Sequence, residues 1–182
     1  ADTLDGGAGD DIIVAGGGDD TVAGGTGDDA LVGGAGKDTY VFNRGDGGDG
    51  ILDDITTANA DEASVIEFGE GIAASDVSTH LRSLILDLGQ GDRIEIAGFD
   101  ADNPFDTPLI DSLRFADGTT LAYSEVLANG FDLDGTEGDD IIGGTAVTDR
   151  IHAFGGNDFV SGHGGADEID GGTGDDTLYG DG

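Results

Sequence analysis

The chain has 182 residues, a length that allows one or two domains, and it carries 40 acidic against 6 basic side chains, for a formal net charge of −34. This charge excludes a general binder of nucleic acids or of anionic membranes, because both attract basic proteins. The absence of cysteine excludes a disulfide framework and a thiol nucleophile. No apolar run reaches the roughly 18 residues that a membrane span requires.

A nine-residue unit, called the nonapeptide below, dominates the first part of the chain. Between residues 6 and 41 it reads GGAGDDIIV, AGGGDDTVA, GGTGDDALV and GGAGKDTYV. With a partial copy before these four, its sixth position holds Asp2, Asp11, Asp20, Asp29 and Asp38. Its eighth position is always apolar and holds Leu4, Ile13, Val22, Leu31 and Tyr40.

The nonapeptide has two physical halves. Its first six residues are rich in glycine, which permits positive φ, and they predict a tight turn. Its last three residues place one apolar side chain between two variable ones and predict a three-residue strand. Turns alternating with short strands predict a two-sided parallel coil with two nonapeptides per circuit, so that residues 18 apart lie above one another.

Stacking of this kind aligns the aspartates into two columns of like charge. Asp20 is expected in the column of Asp38, and Asp11 in that of Asp29, so a cation is needed to offset their repulsion. Carboxylate and backbone carbonyl oxygens suit a hard divalent ion, and calcium accepts irregular geometry more readily than magnesium. Zinc and copper would favour Cys and His ligands, which these turns lack. The pattern therefore predicts several bound Ca²⁺ ions.

The nonapeptide breaks after Val41. If Phe42 and Asn43 are an insertion, the sequence RGDGGDGIL is a degenerate copy in which Asp49 takes the ligand position and Ile51 the core position. Asp49 is thus a further candidate metal ligand.

Residues 53–131 have fewer glycines and longer strand-like runs, and they predict a small β-rich unit. Alternating residues from Leu84 to Leu88, a Gly-Gln-Gly turn and a second run ending at Ile96 predict one hairpin. A second hairpin is predicted around Asp117-Gly118. Ser124 is expected to cap a short helix that stops before Gly130. We expect this unit to cap the open end of a coil; the alternative is a β-module with no role in folding of the coil.

A second series of nonapeptides runs from residue 135 to residue 179, out of phase with the first: GTEGDDIIG, GTAVTDRIH, AFGGNDFVS, GHGGADEID and GGTGDDTLY. Its candidate ligands are Asp140, Asp149, Asp158, Asp167 and Asp176. Val147 replaces a turn glycine, so the site at Asp149 is expected to be distorted. The aspartates at position five, such as Asp10 and Asp139, are expected to face solvent and tune affinity, with direct ligation as the alternative.

Both series resemble the G-G-x-G-x-D-x-U-x repeats of the RTX family, which bind calcium in a parallel β-helix. The phrases YVFNRGDGGDG, IEFGEGIAASDV, GDRIEIAGF and SLRFADGTTL also resemble the accessory segment that accompanies these repeats. The resemblance implies an all-β fold: a right-handed parallel β-roll in two arrays, residues 1–52 and 132–182, separated by the capping unit at 53–131. It also implies a secreted, extracellular or cell-surface location and export without a classical leader.

The expected function is that of a structural calcium-binding module in a larger parent protein, disordered inside the cell and folded by calcium outside it. Each nonapeptide buries one large apolar side chain, worth about 1.5–3 kcal/mol, against about 1–2 kcal/mol per residue of backbone ordering. Catalysis is not expected here, because the chain has no H-E-x-x-H and no G-x-S-x-G motif. The alternatives are a glycan-binding or surface-binding module of an adhesin and the non-catalytic tail of a secreted hydrolase or epimerase.

Overall fold

The computed structural model describes residues 1–52, 63–80, 84–105 and 108–182. In these ranges the secondary structure is almost entirely β: eighteen strands, one α-helix and one 3₁₀ turn. This confirms the predicted all-β class. The start of the predicted capping unit, at residues 53–62, lies outside the described residues.

The first array contributes six strands that pair in parallel with the strand after next. They are β1 (Thr3–Ala8), β2 (Ile12–Gly17), β3 (Thr21–Thr26), β4 (Ala30–Ala35), β5 (Thr39–Phe42) and β6 (Gly48–Ile51). The pairs Leu4↔Val22 and Ile13↔Leu31 are 18 residues apart, as the two-nonapeptide circuit predicts. Leu31 pairs with Ile51 at an interval of 20, so the structure places the two-residue insertion where the sequence predicts it.

The strands of the first array are longer than predicted. β2, for example, covers six residues and includes the first three positions of the following nonapeptide. The glycines at these positions can join the sheet because neighbouring circuits approach too closely there for side chains. A Cβ on Gly25, for example, would lie 2.0 Å from the carbonyl oxygen of Gly7. Gly25 also has a φ of 102°, which favours glycine. The prediction of a six-residue turn and a three-residue strand is therefore wrong for this array.

The middle part of the chain forms six strands and the helix. They are β7 (Ser64–Phe68), β8 (Ser78–His80), β9 (Leu84–Gly89), β10 (Asp92–Ile96), β11 (Ile110–Phe115), β12 (Thr120–Ala122) and α1 (Tyr123–Ala128), with the 3₁₀ turn at Ala74–Asp76. Antiparallel pairing of β9 with β10 and of β11 with β12 confirms both predicted hairpins.

Helix α1 begins one residue before the predicted cap. Ala122 is the N-cap, and its backbone N–H donates to the Glu125 carboxylate at 2.8 Å. Ser124 therefore lies inside the first turn, and the expectation that it caps the helix is wrong. The helix ends as predicted, since Gly130 takes a φ of 75° and its N–H donates to the Leu127 carbonyl.

The second array contributes the last six strands. They are β13 (Phe131–Thr136), β14 (Ile141–Gly143), β15 (Asp149–Phe154), β16 (Phe159–Ser161), β17 (Glu168–Asp170) and β18 (Thr177–Tyr179). They again pair in parallel with the strand after next, as in Leu133↔Ile151 and Ile142↔Val160. Four of them have the predicted three-residue length.

Three sheets contain all of these strands. Their orders are β1-β3-β5-β7-β11-β12, β17-β15-β13-β8-β9-β10-β6-β4-β2 and β14-β16-β18. The nine-stranded sheet passes from the second array through the middle strands to the first, because β8 pairs with β13 and β10 with β6. Hydrogen bonding thus crosses both predicted unit boundaries.

In the two arrays, the core is built mainly from position eight of the nonapeptides. Val22, Leu31, Tyr40, Ile51 and Ile151 are fully buried. The middle strands cover the last circuit of the first array, because Ile66 of β7 pairs with Tyr40 and Ile96 of β10 pairs with Ile51. At the far end of the second array nothing stacks on Leu178 within the described residues, and it is 45% exposed.

Candidate metal centre

The predicted ligand aspartates lie in columns at the turns between strands. Asp20, Asp29, Asp38, Asp49, Asp149 and Asp158 are buried. Asp11, Asp140, Asp167 and Asp176 are half-buried, and Asp2, in the outermost copy, is exposed. The structure therefore places all eleven candidates, Asp49 included, in the stacked turns of the two arrays.

One carboxylate oxygen of each stacked aspartate accepts a hydrogen bond from the circuit before it. The backbone N–H of Asp11 donates to Oδ1 of Asp29 at 2.8 Å, and that of Asp20 donates to Oδ1 of Asp38 at 2.9 Å. The same bond recurs at Asp2–Asp20, Asp29–Asp49, Asp140–Asp158, Asp149–Asp167 and Asp158–Asp176, at 2.6 to 3.0 Å. We call this series the inner ladder. It joins neighbouring circuits through backbone N–H donors.

The second carboxylate oxygen has no such partner in five of these aspartates. In Asp11, Asp20, Asp29, Asp158 and Asp167, Oδ2 is buried and makes no hydrogen bond within the described residues. A buried carboxylate oxygen without a donor is strongly unfavourable and rare in folded proteins. These five atoms therefore indicate a missing positive partner.

Where position one of the nonapeptide is glycine, it packs too closely against this oxygen for any side chain. A Cβ on Gly6 would lie 2.7 Å from Oδ2 of Asp11 and 2.5 Å from the carbonyl oxygen of Gly24 in the next circuit. The same arrangement recurs at Gly162, with Oδ2 of Asp167 at 2.4 Å and the Gly180 carbonyl oxygen at 3.0 Å. A carboxylate oxygen and a backbone carbonyl oxygen thus both lie against this glycine, and oxygen atoms of these two kinds are the ligands that calcium prefers.

Side chains alone do not complete such a site. Among the residues that the structure describes, no three His, Cys, Asp or Glu side chains converge closely enough to hold a metal ion. A cation in this turn would therefore take backbone carbonyl oxygens as well as carboxylates. That donor set fits calcium and does not fit zinc or copper.

Two predicted ligands differ from the others. Oδ2 of Asp140 accepts hydrogen bonds from the backbone N–H and the hydroxyl of Thr136, at 2.6 and 2.9 Å. Oδ2 of Asp149 accepts the N–H of Thr145 at 2.6 Å. Asp149 nevertheless keeps its place in the inner ladder beside Val147. In these two nonapeptides a threonine occupies position two. The threonines are visible in the sequence, but the repeat pattern alone does not predict that they donate hydrogen bonds to the aspartates.

The aspartates at position five form a second ladder, which the sequence analysis missed. Their side chains are exposed, as predicted, yet Oδ1 of Asp10 and Oδ1 of Asp28 accept the backbone N–H of Asp28 and Gly48 at 3.1 and 2.9 Å. Asp19 and Asp139 accept from Lys37 and Asn157 in the same way. This outer ladder points in the opposite direction to the inner one. Recurrence of Asp or Asn at position five was the signal that could have revealed it.

The surroundings of Asp49 strongly shift its pKa. Strand β10 covers it, with Ile94 opposite Asp49 in the ladder, and only 2% of the residue is exposed. Loss of hydration on burial, together with the nearby charges of Asp29 and Asp46, raises the pKa of Asp49 to about 7. Burial also raises the pKa of Asp149, against the hydrogen bonds from Thr145 that lower it.

Within the described ranges there is no helix of the length and apolar character that a membrane crossing needs.

Comparison with known proteins supports the reading of these turns. The RTX calcium-binding nonapeptide repeat family matches the chain in four copies, at residues 1–22, 14–48, 134–169 and 152–182. These matches cover more than half of the chain and include ten of the eleven candidate aspartates; Asp49 lies one residue beyond the second match. No curated protein matches the chain significantly. The repeats of this family bind Ca²⁺, so calcium is the ion expected beside the unpaired Oδ2 atoms, and the chain belongs to the family of RTX calcium-binding nonapeptide repeat proteins.

Proposed function

We propose that this chain is a calcium-dependent folding module of a larger, secreted bacterial protein. It is disordered at the low calcium concentration of the cytosol and folds into two right-handed β-rolls, joined by the middle unit, when it meets extracellular calcium. The module is structural and carries no catalysis of its own. The larger protein acts outside the cell or at its surface.

The observation that supports this proposal is the set of buried, unpaired Oδ2 atoms in the inner ladder. Asp20, Asp29 and Asp158 are each less than 5% exposed, and each buries a carboxylate oxygen without a hydrogen-bond donor among the described residues. In a chain with a net charge of −34, few basic side chains could compensate these groups. The folded state is therefore expected to need bound cations.

Because folding requires bound cations, the calcium concentration controls whether the chain folds. Ions that bind only the folded chain stabilise it by RT ln(1 + [L]/Kd), which is about 1.4 kcal/mol for each site at ten times its dissociation constant. Extracellular calcium modules typically have dissociation constants of about 10⁻⁴ to 10⁻³ M. Such sites would stay empty in a cytosol at submicromolar calcium and fill after export.

Far-ultraviolet circular dichroism during a calcium titration tests the proposal. We expect little β-structure in excess chelator and a cooperative gain of β signal as calcium reaches the millimolar range. Magnesium at the same concentration is the control and should produce a much smaller gain. Equal β content with chelator and with calcium would contradict the proposal.

A second function is favoured by one specific surface. On the outer face of the β14-β16-β18 sheet, Phe159 and Tyr179 are 45% and 47% exposed, with ring centroids 5.4 Å apart, and Ile141 beside Phe159 is 87% exposed. Exposed aromatic rings can stack on the C–H faces of sugars, so this face supports a glycan-binding role in an adhesin.

A glycan array probed with the calcium-loaded chain tests this second function. Binding should be lost in a Phe159→Ala/Tyr179→Ala double variant and kept in Ile12→Ala, which removes an exposed apolar side chain from the first array. Absence of binding to any glycan, or binding unaffected by the double variant, would leave the structural role alone.

A further inference from the structure

The two nonapeptides that open the second array, GTEGDDIIG and GTAVTDRIH, are built differently from the rest. Their second position holds Thr136 and Thr145. Elsewhere this position has a positive φ even when it is not glycine, with 68° at Phe154 and 65° at His163. Thr136 and Thr145 lie outside that left-handed region, as do Gly138 and Val147 at position four.

The threonine side chains bridge the turn internally. The Thr136 hydroxyl accepts the backbone N–H of Gly138 at 3.1 Å and donates to Oδ2 of Asp140 at 2.9 Å. The Thr145 hydroxyl accepts the N–H of Val147 at 3.1 Å and lies 3.1 and 3.2 Å from the two oxygens of Asp149, to one of which it can donate. Each hydroxyl therefore has both a donor and an acceptor partner.

These contacts satisfy the oxygen that lacks a hydrogen-bond partner in the nonapeptides of Asp158 and Asp167. Oδ2 of Asp158 and Oδ2 of Asp167, one circuit further on, are buried without a hydrogen-bond partner among the described residues. Oδ2 of Asp140 and Oδ2 of Asp149 instead receive a backbone N–H and stand within reach of a hydroxyl. Thr145 and Asp149 are completely buried. A neutral donor thus occupies the place where a cation would otherwise be required.

This circuit is also anchored to the middle strands by contacts that involve no metal ligand. Arg150 donates to the Asn129 carbonyl, at the end of helix α1, at 2.6 Å, and β13 pairs with β8 at Asp132↔His80. Within the circuit, Arg150 also forms an ion pair with Asp132, Nε to Oδ1 at 2.5 Å. Thr79 of β8 donates its hydroxyl to the Gly130 carbonyl. Phe131, the first residue of β13, is fully buried. Apolar packing and direct hydrogen bonds therefore hold the circuit against its neighbour.

We propose that the first circuit of the second array, residues 131–152, is a calcium-independent rung. It folds together with the middle strands when calcium is absent and presents a preformed edge on which the circuits carrying Asp158, Asp167 and Asp176 assemble once calcium binds. Asp140 and Asp149 hold their turns through threonine and take no ion. This inference rests on the proposed calcium-dependent folding and restricts it: without calcium, residues 131–152 and the middle strands fold, and the other circuits stay disordered.

Calcium stoichiometry, measured by isothermal titration calorimetry on the full chain, tests which aspartates bind. Asp158→Asn and Asp167→Asn should each reduce the number of bound ions. Asp140→Asn and Asp149→Asn should leave that number at the wild-type value. A loss in Asp140→Asn equal to that in Asp158→Asn would overturn the inference while leaving calcium-dependent folding intact. No loss in any of the four would instead contradict the proposed function.

Hydrogen exchange in excess chelator provides the second readout. We expect backbone amides of residues 131–152 to exchange at least tenfold more slowly than those of residues 157–179 in the wild-type chain. A Thr136→Gly/Thr145→Gly variant should lose this difference. Thr173→Gly, which removes an exposed threonine from position three, is the matched control and should keep it. Equal exchange in the two segments of the wild-type chain would overturn the inference.

Discussion

The backbone N–H of Asp11 donates a 2.8 Å hydrogen bond to Oδ1 of Asp29, which lies 18 residues later and one circuit away. The bond uses one oxygen of Asp29 for the backbone and leaves the other, Oδ2, buried beside Gly24. A single aspartate thereby joins two circuits and keeps a second oxygen without a hydrogen-bond donor among the described residues, where we propose that a cation binds. Because Oδ1 and Oδ2 of Asp29 have different roles, a mutation can remove one role and keep the other.

Asp29→Asn should remove calcium from the first array without removing the inner ladder. Asparagine keeps an Oδ1 acceptor for the Asp11 N–H but replaces the buried carboxylate charge. We expect fewer bound ions in a calorimetric titration and a calcium midpoint for folding that is raised about tenfold, the equivalent of about 1.4 kcal/mol.

The adjacent change Asp28→Asn is the matched control for that experiment. Asp28 is exposed, and its Oδ1 accepts the Gly48 N–H in the outer ladder, a bond that asparagine can also accept. The Asp28→Asn variant should bind as many calcium ions as the wild type. If both variants bound as many ions as the wild type, Asp29 would not be a ligand.

Gly25→Ala should destabilise the calcium-loaded fold by about 1–3 kcal/mol, because the residue has a φ of 102° that alanine adopts only with strain. The new Cβ would also meet the Gly7 carbonyl oxygen at 2.0 Å. Gly17→Ala is the control: Gly17 is not at positive φ, and its Cβ would meet no atom within 4 Å. We expect that variant to be neutral or stabilised by about 0.4–1 kcal/mol. Urea unfolding in saturating calcium measures both, and equal midpoints would contradict the close-approach argument.

Arg44 connects the end of the first array to the middle strands. Its guanidinium lies 2.7 Å from Asp76 and 3.7 Å from Asp92, and it donates to the Gly71 carbonyl at 3.1 Å. Arg44→Ala should lower the free energy of unfolding by about 1.5–3 kcal/mol, since hydrogen bonds to charged groups would be lost in a partly buried place.

Arg44→Lys should recover little of that loss, because a lysine ammonium cannot reproduce the planar fork of the guanidinium. Lys37→Ala provides the comparison. Lys37 and Asp111 form an exposed pair at 3.4 Å, and such pairs contribute about 0–1 kcal/mol. Urea unfolding measures the free energy of unfolding of both variants. If Arg44→Ala lost no more of it than Lys37→Ala, the contacts of Arg44 with the middle strands would contribute no more than an exposed ion pair.

Acid should partly replace calcium in stabilising the fold around Asp49. The carboxyl has a pKa of about 7 in the calcium-free folded chain, against 3.8 as the ordinary value. The folded chain therefore binds more protons than the unfolded chain between about pH 4 and 7. Its stability is greatest below this window and falls as the pH rises through 7.

Circular dichroism in excess chelator between pH 8 and pH 5 measures this effect. We expect β signal to rise toward pH 5 in the wild type and to vary less with pH in Asp49→Asn, which is neutral throughout. Asp28→Asn, which alters an exposed carboxylate, should follow the wild-type profile. An Asp49→Asn profile identical to that of the wild type would exclude Asp49 as the source.

Much of the fold could be predicted because the repeat is regular. A period of nine with an apolar residue at position eight places Val22 beneath Tyr40 and Ile13 beneath Leu31, and the structure has these pairs. The degenerate copy RGDGGDGIL could be predicted for the same reason, since a two-residue insertion lengthens one circuit and keeps the pairing of Leu31 with Ile51. The hairpins of the middle unit were readable from local alternation and turn residues.

The repeat pattern was less informative about the bonds of each carboxylate. It treats Asp140 and Asp158 as equivalent, yet Thr136 satisfies the second oxygen of Asp140, and that of Asp158 stays bare within the described residues. The outer ladder was missed because its acceptor and donor belong to different circuits. Six-residue strands in the first array were missed because glycine normally weakens a strand, whereas here it permits two backbones to meet.

By itself, the sequence determined which residues share a column, since identical units stacked at a constant interval must repeat their environments. It also determined the need for cations, because 40 acidic side chains face only 6 basic ones. Only the tertiary structure decided the direction of the two ladders, the continuity of the sheet through the middle strands and the division between bare and satisfied carboxylates. Those features depend on contacts between backbones 18 or more residues apart, whose geometry no local pattern specifies.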